Sequence, residues 1–197
     1  MGNLRSVAGA VEKIGHVPVV SSDPAELGAC DKLILPGVGA FPDAMANLNS
    51  RALVAALDAM VRTDQKPILG ICLGAQLLAR SSTEFVLTSG LGWIDAAVEC
   101  IADPSVSGLL VPHVGWNGVV ARRDCVLFRD VPEDALFYYV HSYRIGLDDG
   151  KAVVGECIYG PAFASVLAKG NVYGTQFHPE KSQRHGLRLL ANFVEHG

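Results

Sequence analysis

The sequence predicts an α/β fold: a doubly wound, largely parallel sheet with an antiparallel extension. Three observations carry that prediction. Helical and extended patterns alternate through the first seventy residues, which is how a parallel sheet with helices on both faces reads. The apolar run Pro67-Ile68-Leu69 runs into Gly70-Ile71-Cys72-Leu73-Gly74 and then into the helix-like Ala75-Gln76-Leu77-Leu78-Ala79. Beyond that turn the texture changes to short strand-like segments separated by Gly, Asp, Asn and Pro, the signature of hairpins.

Leu4, Val7, Ala8, Val11 and Ile14 recur at helical spacing, with Asn3 as N-cap and Gly15 as the stop. Residues 17–20 (Val-Pro-Val-Val) read as a strand, and Asp23-Pro24 opens a short helical turn. Residues 32–35 form a buried strand ending at Pro36. Helical patterns follow over 40–47 and 50–62, and residues 67–71 form the strand that feeds the glycine-flanked turn. Strands are then expected around 93–101, 136–141, 152–158, 162–168 and 171–176. Asp148-Asp149-Gly150, Gly160-Pro161 and Lys169-Gly170-Asn171 serve as turns. The last helix spans 183–194, with Leu187, Leu190 and Val194 on one face. All 197 residues read as one domain.

Composition narrows the function classes. The chain is 50% hydrophobic, has 21 glycines and only 18% charged residues, so it can build a large core. A net charge of −4 without a basic tract argues against nucleic acid and membrane surfaces as partners. No apolar run approaches the ~20 residues of a spanning helix. The five cysteines, at 30, 72, 100, 125 and 157, are odd in number and include no Cys-x-x-Cys pair. A disulfide framework or a zinc site is therefore not expected, and a reducing cytoplasm fits.

The chemistry centres on Cys72. Strand, sharp turn and helix form a nucleophile elbow, in which flanking glycines spare the turn a Cβ clash. The following helix N-terminus favours a negative sulfur. Downstream, Gln176-Phe177-His178-Pro179-Glu180 supplies a base and a carboxylate two residues apart, which on extended backbone share a face. Nucleophile, base and orienting acid are thus present in the order Cys72, His178, Glu180.

These motifs resemble the class I (triad-type) glutamine amidotransferases. Further segments narrow the likeness: Gly2-Asn3-Leu4-Arg5-Ser6-Val7, Pro36-Gly37-Val38-Gly39, Pro112-His113-Val114-Gly115-Trp116-Asn117 and Val140-His141-Ser142-Tyr143. Together they resemble the glutaminase subunits of imidazole glycerol phosphate synthase, over essentially the whole chain. The resemblance implies a flavodoxin-like sheet and hydrolysis of L-glutamine through a Cys72 thioester. It implies an oxyanion hole from Leu73 and from Val38 or Gly39. It places Gln76, Glu84, His141, Ser142 and Tyr143 on the substrate, and His113, Trp116 and Asn117 at the face of a TIM-barrel cyclase subunit. That subunit would take the ammonia to make imidazole glycerol phosphate and an aminoimidazole carboxamide ribonucleotide in histidine biosynthesis. No metal or cofactor is implied.

Two rivals stay open. The glutaminase of pyridoxal phosphate synthase carries a Gly-Gly-Glu-Ser type loop where this chain has Pro36-Gly37-Val38-Gly39. A cysteine peptidase or hydrolase would place its acid between Cys72 and the base. Taken without the resemblance, Glu84 reads as a solvated loop carboxylate and His141 as a strand histidine. A βα sheet also wants a strand before its first helix, and the resembled family has one. That first strand is expected to be missing from the sequence, and a chain extended upstream is expected to be more soluble and more stable.

Overall fold

The structure, a computed structural model, describes residues 3–101, 109–146 and 151–197. The expected turn at 148–150 lies outside them. In chain order the helices are α1 (Leu4–Lys13), α2 (Pro24–Gly28), α3 (Phe41–Ser50), α4 (Leu53–Asp58), α5 (Leu73–Leu77) and α6 (Gln183–His196). The strands are β1 (Leu33–Gly37), β2 (Ile68–Cys72), β3 (Ser81–Ser82), β4 (Thr88–Ser89), β5 (Ala97–Cys100), β6 (His113–Gly118), β7 (Val120–Ala121), β8 (Leu136–His141), β9 (Tyr143–Ile145), β10 (Val153–Ile158), β11 (Ala162–Lys169) and β12 (Val172–Thr175). A wider π-type turn, Ala59–Thr63, continues α4.

The centre of the sheet is parallel: β1 pairs with β2, and β2 with β12. All five residues of β2 are buried, as expected of a strand covered by helices on both faces. From β12 outward the sheet turns antiparallel through β11, β10 and β9. Gly170 makes the β11–β12 turn at φ +59° and Gly160 the β10–β11 turn at φ +66°. A separate two-stranded ribbon joins β6 to β8.

Two core clusters flank the sheet. One gathers Phe41, Leu57, Val61, Leu73 and Leu78 under α3, α4 and α5. The other gathers Val7, Ala10, Phe137, Phe177, Leu189 and Phe193 under α1 and α6. On α6 the buried face is Gly186, Leu189, Leu190 and Phe193, whereas Leu187 and Val194 are only half-buried.

One expected strand is absent. Residues 17–20 pair with no strand, and Val17, Val19 and Val20 are exposed at 92%, 54% and 57%. Extended backbone becomes a strand only beside a neighbour that takes its N–H and C=O groups. Among the described residues β1 is paired only on its β2 side. Its other side borders a cavity of about 440 Å³, lined by Leu33, Leu35, Leu53 and Leu57 among others.

Candidate active site

The elbow forms where β2 meets α5. Cys72 takes φ +54°, ψ −112°, a conformation that costs a non-glycine residue about 1–3 kcal/mol. The glycines on either side serve a different need, close approach. A Cβ on Gly74 would sit 1.7 Å from the Leu35 carbonyl oxygen, and one on Gly70 would sit 2.7 Å from the Ala75 backbone. Their lack of a side chain lets α5 lie against β1 and β2. Leu73 is the first residue of α5, so its N–H has no partner within the helix.

His178 follows β12. Phe177, stacked on Phe137 at 4.1 Å, anchors the segment in the core. The His178 N–H donates to the Tyr138 carbonyl at 2.9 Å, and Ser182 Oγ donates to the His178 carbonyl at 2.6 Å. The imidazole is 1% exposed, with Nδ1 2.8 Å from Glu180 Oε1. That contact leaves Nε2 for the sulfur. Burial alone would lower the pKa of His178. Hydrogen bonds and charge from Cys72 and Glu180 outweigh burial and raise it from 6.5 to about 9. The imidazole is therefore held protonated at neutral pH beside the Cys72 sulfur.

A cavity of about 360 Å³ opens over the sulfur. It is lined by Val38, Gly39, Cys72, Leu73, Gln76, Glu84, Pro112, Val140, His141, Ser142, Tyr143, His178 and Lys181. Every residue expected at the substrate or the oxyanion thus faces one chamber. Gln76 Nε2 donates to the Tyr143 carbonyl at 2.8 Å and to Gln176 Oε1 at 3.2 Å. Glu84 is 9% exposed and accepts the Phe41 N–H at 2.7 Å. It is therefore a buried carboxylate at the head of α3, not a solvated one.

Two expectations need correction. Asn3 makes no side-chain cap on α1. Its Nδ2 instead donates to Glu180 Oε1 and lies 3.2 Å from His178 Nδ1. The Glu180 carboxylate takes the Asn3 amide as donor in a charge-assisted hydrogen bond, in place of the cap in which Oδ1 would accept from the first N–H groups of α1, and sequence carries no sign of a contact across 177 positions. His113, expected at the partner face, is 3% exposed and points inward, stacked on Tyr159 at 4.0 Å. Strand alternation accounts for this: Val114 and Trp116 take the outer face, at 56% and 46% exposure. Asn117 is half-buried, and its Nδ2 donates to the Ile158 carbonyl at 3.2 Å.

Reasoning from sequence also missed Gln176, whose Nε2 lies 3.9 Å from the Cys72 sulfur. Its place two residues before His178 was the available signal, because alternate residues share a face.

A strand, a strained cysteine, a short helix and a buried His–carboxylate pair bring a thiol, an imidazole and a carboxylate into one site, the groups that nucleophilic catalysis by a cysteine needs. Consistent with this, the family model described as glutamine amidotransferase class-I matches residues 3–196, and the chain belongs to that family. Within it the chain groups with the HisH subunits of imidazole glycerol phosphate synthase. It is 46% identical over 195 residues to "Imidazole glycerol phosphate synthase subunit HisH" of Moorella thermoacetica, covering 99% of this chain and 90% of the relative. To the HisH subunit of Sulfurimonas denitrificans it is 45% identical over 197 residues, covering 100% and 94%.

Solved structures support the fold. A crystal structure of a glutamine amidotransferase superposes with TM-score 0.74 at 19% identity, covering 98% of this chain and 93% of that one. The structure of PurLQS from Thermotoga maritima gives 0.70 at 21% identity, covering 98% and 92%.

Proposed function

We propose that this chain hydrolyses L-glutamine to glutamate and ammonia through a Cys72, His178 and Glu180 triad, and hands the ammonia to a TIM-barrel cyclase subunit in histidine biosynthesis. The observation that carries the reading is the single chamber in which Cys72, His178, Gln76, Glu84 and the Val38–Gly39 loop meet. The cytoplasm suits it, as the compartment where a catalytic thiol stays reduced. Among the described residues no helix is long and apolar enough to cross a membrane.

The Cys72 sulfur attacks the carboxamide carbon. The oxyanion that forms is held by the Leu73 N–H and by a second N–H from Val38 or Gly39. The His178 imidazolium protonates the departing nitrogen, and ammonia leaves a γ-glutamyl thioester. His178, now neutral at Nε2, takes a proton from water, which attacks the thioester and releases glutamate. Glu180 keeps Nδ1 protonated and the ring in place. The Gln76 and Glu84 side chains and the His141–Tyr143 backbone bind the rest of the glutamine.

Ammonia released to water would be protonated and lost as a nucleophile, so the chemistry calls for a receiving partner. The outer face of the β6–β8 ribbon, with Val114, Trp116 and Val140 exposed beside the chamber, is the surface we assign to that partner. The Cys72→Ala variant, assembled with the cyclase, should make imidazole glycerol phosphate from ammonium salts and none from glutamine. Failure with both nitrogen sources, in a complex shown to be assembled, would refute the division of labour.

A further inference from the structure

His113 and His141 stand directly opposite each other in the β6–β8 register, and both are buried, at 3% and 6% exposure. His113 Nδ1 lies 3.0 Å from His141 Nε2. His141 Nδ1 lies 2.8 Å from the Tyr143 carbonyl oxygen. A carbonyl can only accept, so His141 carries its proton on Nδ1. Its Nε2 is then an acceptor, and the donor facing it is His113 Nδ1–H.

The chain continues on the far side of that carbonyl. Gln76 Nε2 donates to the same Tyr143 oxygen and to Gln176 Oε1, and Gln176 Nε2 points at the Cys72 sulfur. One hydrogen-bonded line thus runs from β6 to the nucleophile. Burial, with the neighbouring His113 and His178, lowers the pKa of His141 to about 4 against the Tyr143 bond that raises it. A neutral His141 is what this line requires.

We propose that His113 is a positioning residue for glutamine hydrolysis. By donating to His141 it fixes the tautomer that holds the Tyr143 carbonyl, and through Gln76 and Gln176 it sets the wall behind the Cys72 sulfur. This rests on the glutaminase reading above. The plainer alternative is that His113 only fills the core, through its stacks on Tyr139 and Tyr159.

Two variants of the full chain separate these, assayed with the cyclase subunit. H113F keeps the ring stacks and loses the donor; H113N keeps a donor near the Nδ1 position and loses the stacks. Positioning predicts that H113F loses roughly tenfold in kcat/KM, the worth of one buried hydrogen bond, while its melting temperature, lowered by the unpaired His141 Nε2, falls less than that of H113N. H113N should stay closer to wild type in activity while melting lower. The reverse order, or an H113F variant as active as wild type, would overturn the proposal in favour of core packing. Imidazole 15N NMR of the full-length wild-type chain gives a test that needs no variant. His141 should show a protonated Nδ1 and a bare Nε2, and the opposite tautomer would overturn the proposal even if both variants failed to fold. A wild-type chain that hydrolyses no glutamine with its cyclase would instead sink the glutaminase reading, and this proposal with it.

Discussion

The two halves of the proposed oxyanion site are built differently. The β2–α5 elbow is buried throughout: Ile71 and Ala75 are 0% exposed and Leu73 3%. It is also locked by backbone approaches that no side chain could enter. The loop after β1 is its opposite. Val38 is 41% exposed, and Gly39, at φ +102°, has nothing within 4 Å of where a Cβ would stand. It leaves a strand paired on one side only among the described residues. The proposed nucleophile Cys72 and the first proposed oxyanion donor, Leu73, are fixed by folding, while the second proposed donor hangs on a segment that little else determines. Such an arrangement keeps the thiol in place and leaves the completion of the oxyanion hole to be adjusted, for instance when a partner docks.

The sharpest way to break this comparison is at the elbow. Cys72→Ala should abolish glutamine hydrolysis, a loss of about 10⁴-fold or more, while the chain still folds. Because the backbone there is strained for any side chain, Cys72→Gly should melt higher than Cys72→Ala. Equal melting temperatures would mean that the elbow stores no strain.

Glu180→Gln tests the base. Wild-type His178 is protonated until about pH 9, so glutaminase activity should fall as pH rises through that value and the leaving group loses its proton donor. The sign for stability is the same. A raised imidazole pKa contributes fully below the ordinary value of 6.5 and is lost as pH rises through about 9. Removing the carboxylate charge should move the alkaline limb to lower pH and cut kcat by roughly 10²-fold. An unmoved limb would place the control of His178 elsewhere.

A smaller effect is expected at the loop. An alanine at Gly39 must adopt a φ that side chains resist, at about 1–2 kcal/mol. The loop can shift to avoid that strain. Gly39→Ala should therefore lower kcat about tenfold with little change in melting temperature, reversing the balance seen at the elbow. A large melting shift with normal turnover would show the loop to be structural.

Smallest for the free subunit is Trp116→Ala. With the indole 46% exposed, it should leave folding untouched and weaken cyclase association by at least roughly tenfold. Unchanged affinity with a loss of stability would place Trp116 in the core instead.

Much of this was legible in the sequence. The elbow, the Cys72, His178, Glu180 order and the Val38–Gly39 and His141–Tyr143 segments were readable because each lies on a short motif with its own local rule, whereas Glu84 came only from the family resemblance and Lys181, which also lines the chamber, carried no signal. Most strands from 136 onward were readable because turn residues bracket them. What stayed hidden depends on partners far away in the chain. Residues 17–20 have strand composition but, among the described residues, no neighbour to pair with. Asn3 obeys the cap rule, yet its side chain is claimed by Glu180. The inward turn of His113 is a matter of strand phase, which a motif does not fix. The contact of Gln176 with the sulfur needed β2 and β12 to be adjacent, a fact of topology.

The most direct measurement is the site of covalent capture. The chain has five free cysteines, of which Cys100 is exposed and Cys72 buried. A glutamine-derived chloroketone, applied to the chain with its cyclase and mapped by peptide mass spectrometry, should label Cys72 alone, with glutamine protecting it. Labelling that follows exposure, with Cys100 modified and Cys72 untouched, would contradict the account.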